Sequence, residues 1–183
     1  MSNGVLCFAN NNSEINYILQ AQELALRVKR YLDLPTSVVT STPNKVDKTF
    51  FDKIIPVETP TGNYKRYYDG ADTHVNVAFN NAGRIDSFDL TPYKQTLVLD
   101  TDVILCNDDL KNSFDTNYPF QIYKDCTDLT TWREHTEFDY INDKGISFYW
   151  ATAFYFKKSP EAEIFFNLLE AIKMNYPYFK TLY

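Results

Sequence analysis

The chain has 183 residues, a size that predicts one domain, spanning residues 1–183, with a sizeable hydrophobic core. Its hydrophobic fraction of 44% and charged fraction of 23% are typical of a globular protein. The net charge of -6 argues against a nucleic-acid partner, because phosphate backbones attract Lys and Arg.

The small numbers of Cys and His residues limit the kinds of site that the chain can form. The chain has 3 Cys, of which Cys7 and Cys106 lie within or beside apolar runs, so we expect reduced and packed thiols. With only 2 His, no zinc-type ligand pattern is present. No apolar run approaches the length of a membrane span, and the N-terminus lacks the basic region of a secretion signal. We therefore predict a cytoplasmic protein.

The first third of the chain predicts a strand–helix–strand unit. Residues 5–9 form a short apolar run typical of a buried strand, and the Asn-rich residues 10–13 form a turn. A long helix is predicted over residues 14–32, where apolar residues recur at spacings of three and four. Strands follow at residues 37–40 and 53–57, the second of them at a sheet edge because Pro56 cannot donate to a neighbouring strand.

The remaining elements are less regular until the C-terminal helix. Residues 58–73 predict a surface loop and residues 80–88 a helix. Strands are expected up to Asp100 and at residues 103–105, 120–123 and 147–157, with a short helix ending near Phe114. Ser159 and Pro160 are typical of a helix start. That helix should end before Pro177 and direct four apolar side chains inward, namely Phe165, Leu168, Leu169 and Ile172.

These elements together predict an α/β sandwich, with a mostly parallel central sheet and helices on both faces. A parallel crossover between the first two strands is right-handed in nearly all proteins. Ligands of such sheets bind outside the carboxyl ends of the strands. The turn at Asn10 and the end of the central strand are both expected at that edge.

The most informative motif is the Asp-Thr-Asp within residues 96–105, TLVLDTDVIL. Side chains alternate along a strand, so Asp100 and Asp102 are predicted to project from the same face. Such a pair can hold Mg²⁺ or Mn²⁺ through oxygen, with waters and substrate phosphates completing the coordination. The alternative is a turn in which Asp caps the local backbone. The metal interpretation predicts a nucleotide-diphosphate donor.

The stretch LTPYKQTLVLDTDVILCNDDL, residues 90–110, resembles the DxD core of the glycogenin-like family-eight glycosyltransferases. The resemblance extends back to Arg84 and to the opening FANNNSEINYILQA. It implies the GT-A fold, which is the nucleotide-diphospho-sugar transferase sandwich. It also implies a UDP-sugar donor, manganese as cofactor, and sugar transfer with retention of configuration.

The resemblance also implies roles for individual residues. Asp100 and Asp102 would bind the metal, and the expected donor-binding residues are Ala9, Asn10, Asn11, Tyr17, Arg84 and Thr101. Arg84 matches a basic residue that contacts the donor, and Tyr17 an aromatic residue that stacks on uracil. From the residues alone, Arg84 could instead pair with Asp86 or Asp89 at the surface, and Tyr17 could pack in the core.

The chain departs from the family pattern after the DxD. Residues 150–152, Trp-Ala-Thr, stand where the family has an Asn-Ser-Gly-like motif, and the chain reaches Tyr183 before the family's Asp-Gln motif and metal-binding His. The catalytic residue and the acceptor, whether a glycan, a protein or a small molecule, are therefore not identified.

Two other functions stay open. One is a sugar-phosphate nucleotidyltransferase, although its usual Gly-rich, basic N-terminal loop is missing from FANNNSE. The other is a non-catalytic module that kept the fold for binding or for a structural role.

Overall fold

The computed structural model describes residues 2–58, 65–67, 76–78, 80–124 and 149–179. Its strands are β1 Asn3–Phe8, β2 Thr36–Thr40, β3 Lys53–Pro56, β4 Lys65–Tyr67, β5 Asn76–Ala78, β6 Gln95–Leu99, β7 Phe120–Tyr123 and β8 Trp150–Lys157. Six of them form a sheet with the order β3-β2-β1-β6-β8-β7, and β4 pairs with β5 as an antiparallel ribbon.

The central sheet is mostly parallel, as predicted. β1 runs parallel to both β2 and β6, and β2 runs parallel to β3, which lies at the edge as Pro56 indicates. β8 runs antiparallel to β6 and to β7. The carboxyl ends of the parallel strands and the start of β8 therefore meet at one edge of the sheet.

Helices cover both faces of the sheet. The helices are α1 Tyr17–Arg27, which continues as a π-helical turn over Val28–Leu32, then α2 Ser87–Leu90, α3 Pro160–Met174 and α4 Tyr176–Phe179. A 3-10 segment, Asn80–Asp86, leads into α2 and is called the Arg84 segment below. Another 3-10 segment, Asp109–Asp115, follows β6, and two shorter ones, Pro43–Lys45 and Lys48–Phe50, lie between β2 and β3.

The two faces of the sheet have different cores. Alternate residues of β1, including Val5 and Cys7, pack with the apolar stripe of α1, from Ile18 to Leu32. The opposite face packs under α3 and is rich in phenylalanine. In that second core Phe166 lies 4.8 Å from Phe156 and 5.4 Å from Phe88, measured between ring centroids.

The start of α1 lies three residues later than predicted. Asn12 Oδ1 accepts hydrogen bonds from the amides of Glu14 and Ile15, which gives this stretch a non-helical way to satisfy its backbone. Asn16 then caps the helix by accepting from the amide of Leu19. The predicted start of α3 is confirmed, since Ser159 accepts from the amide of Ala162 and Pro160 follows it.

Several other predictions were wrong. Residues 65–67 form β4 and not part of a loop, and residues 103–105 form no strand. The helix predicted over residues 80–88 is mostly a 3-10 helix, with α-helix only from Ser87. Cys106 is exposed, whereas Cys7 is buried as expected. Leu168 of α3 is 56% exposed, because the helix turns Ala162 and Phe166 toward the sheet instead.

The strand predicted over residues 147–157 begins only at Trp150, since Tyr149 lies outside it. The packing predicted for the third cysteine, Cys126, falls outside the described residues. Among the helices that the structure describes, none has the length and apolar character needed to cross a membrane.

Candidate active site

The candidate site lies at the sheet edge where β1 and β6 both end. The two strands are parallel neighbours, so the residues that follow Phe8 and Leu99 are brought to the same edge. This edge was predicted for both the Asn10 turn and the Asp100 pair. The Trp-Ala-Thr residues 150–152 open β8 at the same edge.

Asp100 is held by two neighbouring elements. Its amide donates to the carbonyl oxygen of Thr152 at 3.0 Å, and its carboxylate accepts from the Arg84 guanidinium. Arg84 also donates through its other terminal nitrogen to the carbonyl oxygen of Ala151 at 3.0 Å. Only 17% of the Arg84 side chain and 20% of the Asp100 side chain are exposed, so this ion pair is largely shielded from water.

The strand argument for the two aspartates does not hold, because β6 ends at Leu99. Asp100 opens a turn instead, in which the amide of Val103 donates to its carbonyl oxygen at 3.2 Å. Asp102 lies in this turn and is exposed, while Asp100 is half-buried. The carboxylates are nevertheless close enough for the charge of Asp102 to act on Asp100.

The environment of Asp100 disfavours its charged form. Burial raises the pKa of its carboxyl to about 6, the Arg84 guanidinium opposes this shift, and the negative charge of Asp102 adds to it. A carboxylate with a raised pKa beside a second carboxylate is typical of functional sites.

Thr101 fixes the turn from the other side. Its side chain is buried, and its hydroxyl donates to Oε1 of Gln20 in α1 at 3.2 Å. This hydroxyl is thus used within the fold and anchors the turn to the first helix. Gln20 was not among the predicted residues. Its position on the half-buried side of α1, one turn after the cap, is the signal that could have indicated it.

The predicted donor residues after β1 have different surroundings. The Ala9 side chain is buried in the first core, and its amide donates to the carbonyl oxygen of Val39. Asn10 Oδ1 accepts from the amide of Ser41 at 2.7 Å, which joins the loops after β1 and β2. Of these three residues only Asn11 is exposed, and its amide group bridges Asn16 and the amide of Ile18.

Two interpretations were given for Tyr17 and two for Arg84, and the surroundings of each residue can be compared with them. Tyr17 is half-buried and packs against the first core, as the structural alternative expects. Arg84 pairs with Asp100, and Asp86 pairs instead with Lys173 of α3 at 2.8 Å. The structure therefore brings Arg84, Asp100, Thr101 and Asp102 together, with Asn10 and Asn11 following the neighbouring strand.

The carboxylates at this edge supply only some of the oxygen ligands that a divalent cation needs. Within the described ranges, no three acidic, His or Cys side chains gather closely enough to hold a metal. Mg²⁺ is usually bound through one or two carboxylates plus waters and phosphate oxygens, so two carboxylates suffice in number, although one oxygen of Asp100 already pairs with Arg84. Asp100 and Asp102 thus fit a metal that is completed by its substrate.

A shallow pocket lies elsewhere, near the amino end of β1. It has a volume of about 260 Å³ and is lined by residues that include Asn3, Leu34, Asp108 and Phe114. Ligands of parallel sheets bind at the carboxyl edge. We therefore place the candidate site at the Asp100 turn and not in this pocket.

No protein-family model matches the sequence, and no curated protein sequence matches it. Solved structures do resemble the fold. The galactosyltransferase LgtC in complex with donor and acceptor sugar analogs aligns with a TM-score of 0.51 at 15% identity, covering 85% of this chain. An active-site mutant of LgtC gives a TM-score of 0.53 at 14% identity, with the same coverage.

A nucleotidyltransferase also resembles the chain. The CMP:2-keto-3-deoxy-manno-octonic acid synthetase complexed with CTP aligns with a TM-score of 0.52 at 10% identity, covering 95% of this chain and 78% of that one. The chain spans 57% of the length of the LgtC structures. At these identities the likeness establishes the fold, which is the GT-A α/β sandwich that the sequence predicted.

Proposed function

We propose that the protein is a metal-dependent glycosyltransferase that uses a nucleotide-diphosphate sugar, specifically a UDP-sugar. The observation that carries this proposal is the Asp100 carboxylate, half-buried with a raised pKa at the carboxyl edge of β6 and paired with Arg84. The similarity of the fold to a galactosyltransferase in complex with donor and acceptor analogs supports it.

Asp100 and Asp102 would hold Mn²⁺ or Mg²⁺. When bound there, the cation would stabilise the negative charge that develops on the diphosphate leaving group. The turn that carries the two carboxylates is fixed before any ligand arrives, through Thr152 on one side and Gln20 on the other. Such fixed positions reduce the free energy lost in ordering the site on binding.

Arg84 would contribute in two ways. Its guanidinium neutralises Asp100 in the absence of ligand, and its planar donor groups suit the oxygens of a diphosphate. On the neighbouring strand end, Asn10 and Asn11 would line the nucleotide portion of the donor.

The proposal extends to the stereochemistry and the acceptor. Retention of configuration follows from the resemblance to the glycogenin-like family. Tyr67 and its neighbours Tyr64 and Tyr68 are candidate acceptors for self-glucosylation. Intact mass before and after incubation with UDP-glucose would detect such a modification as an added hexose.

Calorimetric titration with UDP, with and without Mn²⁺, tests the proposal directly. We expect binding that strengthens at least tenfold with Mn²⁺ and loses that gain in Asp102→Asn, a substitution at an exposed position. The matched control is Asp89→Asn, an exposed aspartate of α2. Absence of any metal-dependent binding at millimolar UDP would refute the proposal.

A sugar nucleotidyltransferase is the second candidate, favoured by the likeness to the synthetase complexed with CTP. Its signature would be release of pyrophosphate from CTP or UTP in the presence of a sugar substrate. Hydrolysis of UDP-sugars without pyrophosphate release would support the glycosyltransferase. Binding of UDP without either reaction would indicate a non-catalytic module.

A further inference from the structure

An ion pair between a little-exposed lysine and a partly exposed aspartate joins α3 to the Arg84 segment, on the opposite face of the sheet from α1. Nζ of Lys173 lies 2.8 Å from Oδ1 of Asp86, and only 17% of the Lys173 side chain is exposed. Lys173 also lies 4.0 Å from Glu170, one turn earlier on the same helix. A lysine so little exposed needs a partner, because an unpaired charge in these surroundings is costly.

The pair lies two residues from Arg84. The backbone is tied down further by the next residue, since the buried Ser87 donates through its hydroxyl to the carbonyl oxygen of Arg84. Phe88 then packs on Phe166 of α3, with ring centroids 5.4 Å apart. Both the ionic and the aromatic contacts thus fix the Arg84 segment against α3.

The Arg84 segment needs such support because of its own geometry. It is built of 3-10 turns, whose hydrogen bonds are weaker than those of an α-helix and rarely sustain a long run alone. Its one described basic side chain, Arg84, must reach both Asp100 and the carbonyl oxygen of Ala151. A displacement of the segment by about 1 Å would misplace the guanidinium, and site geometry is sensitive to shifts of that size.

We propose that Lys173 is a positioning residue of the nucleotide-diphosphate site, acting through Asp86 to hold the Arg84 segment and so the guanidinium beside Asp100. This inference rests on the proposed function of that site. It assigns to α3 a share in setting the affinity for the diphosphate.

The test is a double-mutant cycle on metal-dependent UDP binding. Lys173→Met and Asp86→Asn should each weaken the binding of UDP in the presence of Mn²⁺ about three- to tenfold. The double variant Asp86→Asn with Lys173→Met should bind no more weakly than either single variant, because the two side chains act as one unit. Lys173→Arg, which keeps the charge, should retain most of the affinity.

Two controls isolate the pair. Lys29→Met breaks a matched lysine–aspartate pair on the surface, where Lys29 and Asp33 are 73% and 75% exposed, and should leave UDP binding unchanged. Glu170→Gln removes a more distant and half-exposed carboxylate, 4.0 Å from Lys173, and should also have no effect. Thermal unfolding of every variant measures its folded fraction, and each affinity is calculated for the folded protein alone.

The outcomes separate the two proposals. Wild-type protein without metal-dependent UDP binding would refute the proposed function itself. Wild-type binding that persists unchanged in both Lys173→Met and Asp86→Asn would refute only the positioning role. Additive losses in the double variant would also overturn it, because they would show that the two residues act independently. Should one single variant fail to fold, the other one decides.

Discussion

Arg84 pairs with Asp100 across two elements that are distant in sequence, with the guanidinium from the segment before α2 and the carboxylate from the end of β6. The same guanidinium donates to the carbonyl oxygen of Ala151 at the start of β8. One side chain therefore fastens the turn after the central strand to the antiparallel strand beside it. Burial nevertheless raises the pKa of Asp100 to about 6. The fold therefore disfavours the ionised carboxylate, which is the form that would bind a metal.

Asp100→Asn should remove function without loss of stability. The charged carboxylate is disfavoured by its burial, so its replacement by a neutral isostere should leave the melting temperature at pH 7 unchanged or raise it. Metal-dependent UDP binding should be lost, which calorimetry on the same sample measures. Arg84→Met is the matched contrast. It leaves Asp100 half-buried without its cation and should lower the free energy of unfolding by about 2 kcal/mol.

The contradicting outcome is equally definite. An Asp100→Asn variant that melts several degrees below wild type at pH 7 would show that the ion pair with Arg84 outweighs the cost of burying the charge. The direction of the Asp100 pKa shift given above would then be wrong.

The stability contributed by Asp100 should depend on pH in one direction. Its pKa is raised in the folded protein from 3.8 to about 6, so the folded state binds more protons than the unfolded state between these values. The contribution is fully present below about pH 4 and is lost as the pH rises through 6, by about 3 kcal/mol at most. Urea unfolding of wild type and Asp100→Asn at several pH values measures the difference, which should change between pH 4 and 7 and not above.

Metal binding should show the opposite dependence on pH, because protons compete for the same carboxylate. We expect the Mn²⁺-dependent affinity for UDP to rise by up to about tenfold per pH unit below pH 6 and to level off above pH 7. An affinity that is constant from pH 5 to 8 would exclude Asp100 as a ligand with the pKa assigned here.

Gly4→Ala should destabilise the protein through one contact. A methyl group at Gly4 would overlap the ring of Tyr93, which is buried. The ring cannot easily move, because its hydroxyl bonds to Ser37 at 2.7 Å and to Asp52 at 3.2 Å. We expect a loss of about 1–3 kcal/mol in the free energy of unfolding, measured by urea titration.

Gly83→Ala is the matched control for this prediction. In the part of the chain that the structure describes, and apart from its own neighbours along the backbone, no atom lies within 4 Å of the position that its Cβ would occupy. Its effect should stay within about 0.5 kcal/mol. Equal losses in the two variants would show that chain flexibility, and not the Tyr93 contact, decides the Gly4 result.

Phe166→Ala should be the most disruptive substitution on α3. The ring is 5% exposed and contacts Phe88, Phe156 and Phe165. Its truncation should cost about 3–5 kcal/mol. Leu168→Ala, two residues later and 56% exposed, should cost less than about 0.5 kcal/mol. Chemical unfolding compares them, and a larger loss at Leu168 would contradict the observed rotation of the helix.

The face of α3 that packs on the sheet could not be predicted from the sequence alone. Phe165, Phe166, Leu168 and Leu169 are all apolar, so hydrophobic spacing fits more than one inward face. The choice is made in the second core, where Phe88 and Phe156 contact the ring of Phe166. For Cys106 likewise, the apolar run before it predicted burial, yet the chain leaves the sheet at Leu99 and the thiol is exposed.

The sequence by itself determined the layered architecture, since the apolar β1 and β6 runs, the stripe of α1 and the Ser159–Pro160 helix start are local signals that hydrophobic burial and capping enforce. It also indicated the sheet edge at which Asp100 lies. Only the tertiary structure decided the partners at that edge: Arg84 for Asp100, Gln20 for Thr101 and Lys173 for Asp86. Such pairings join residues 16 to 87 positions apart, and their geometry depends on how whole helices pack on the sheet, which no local pattern encodes.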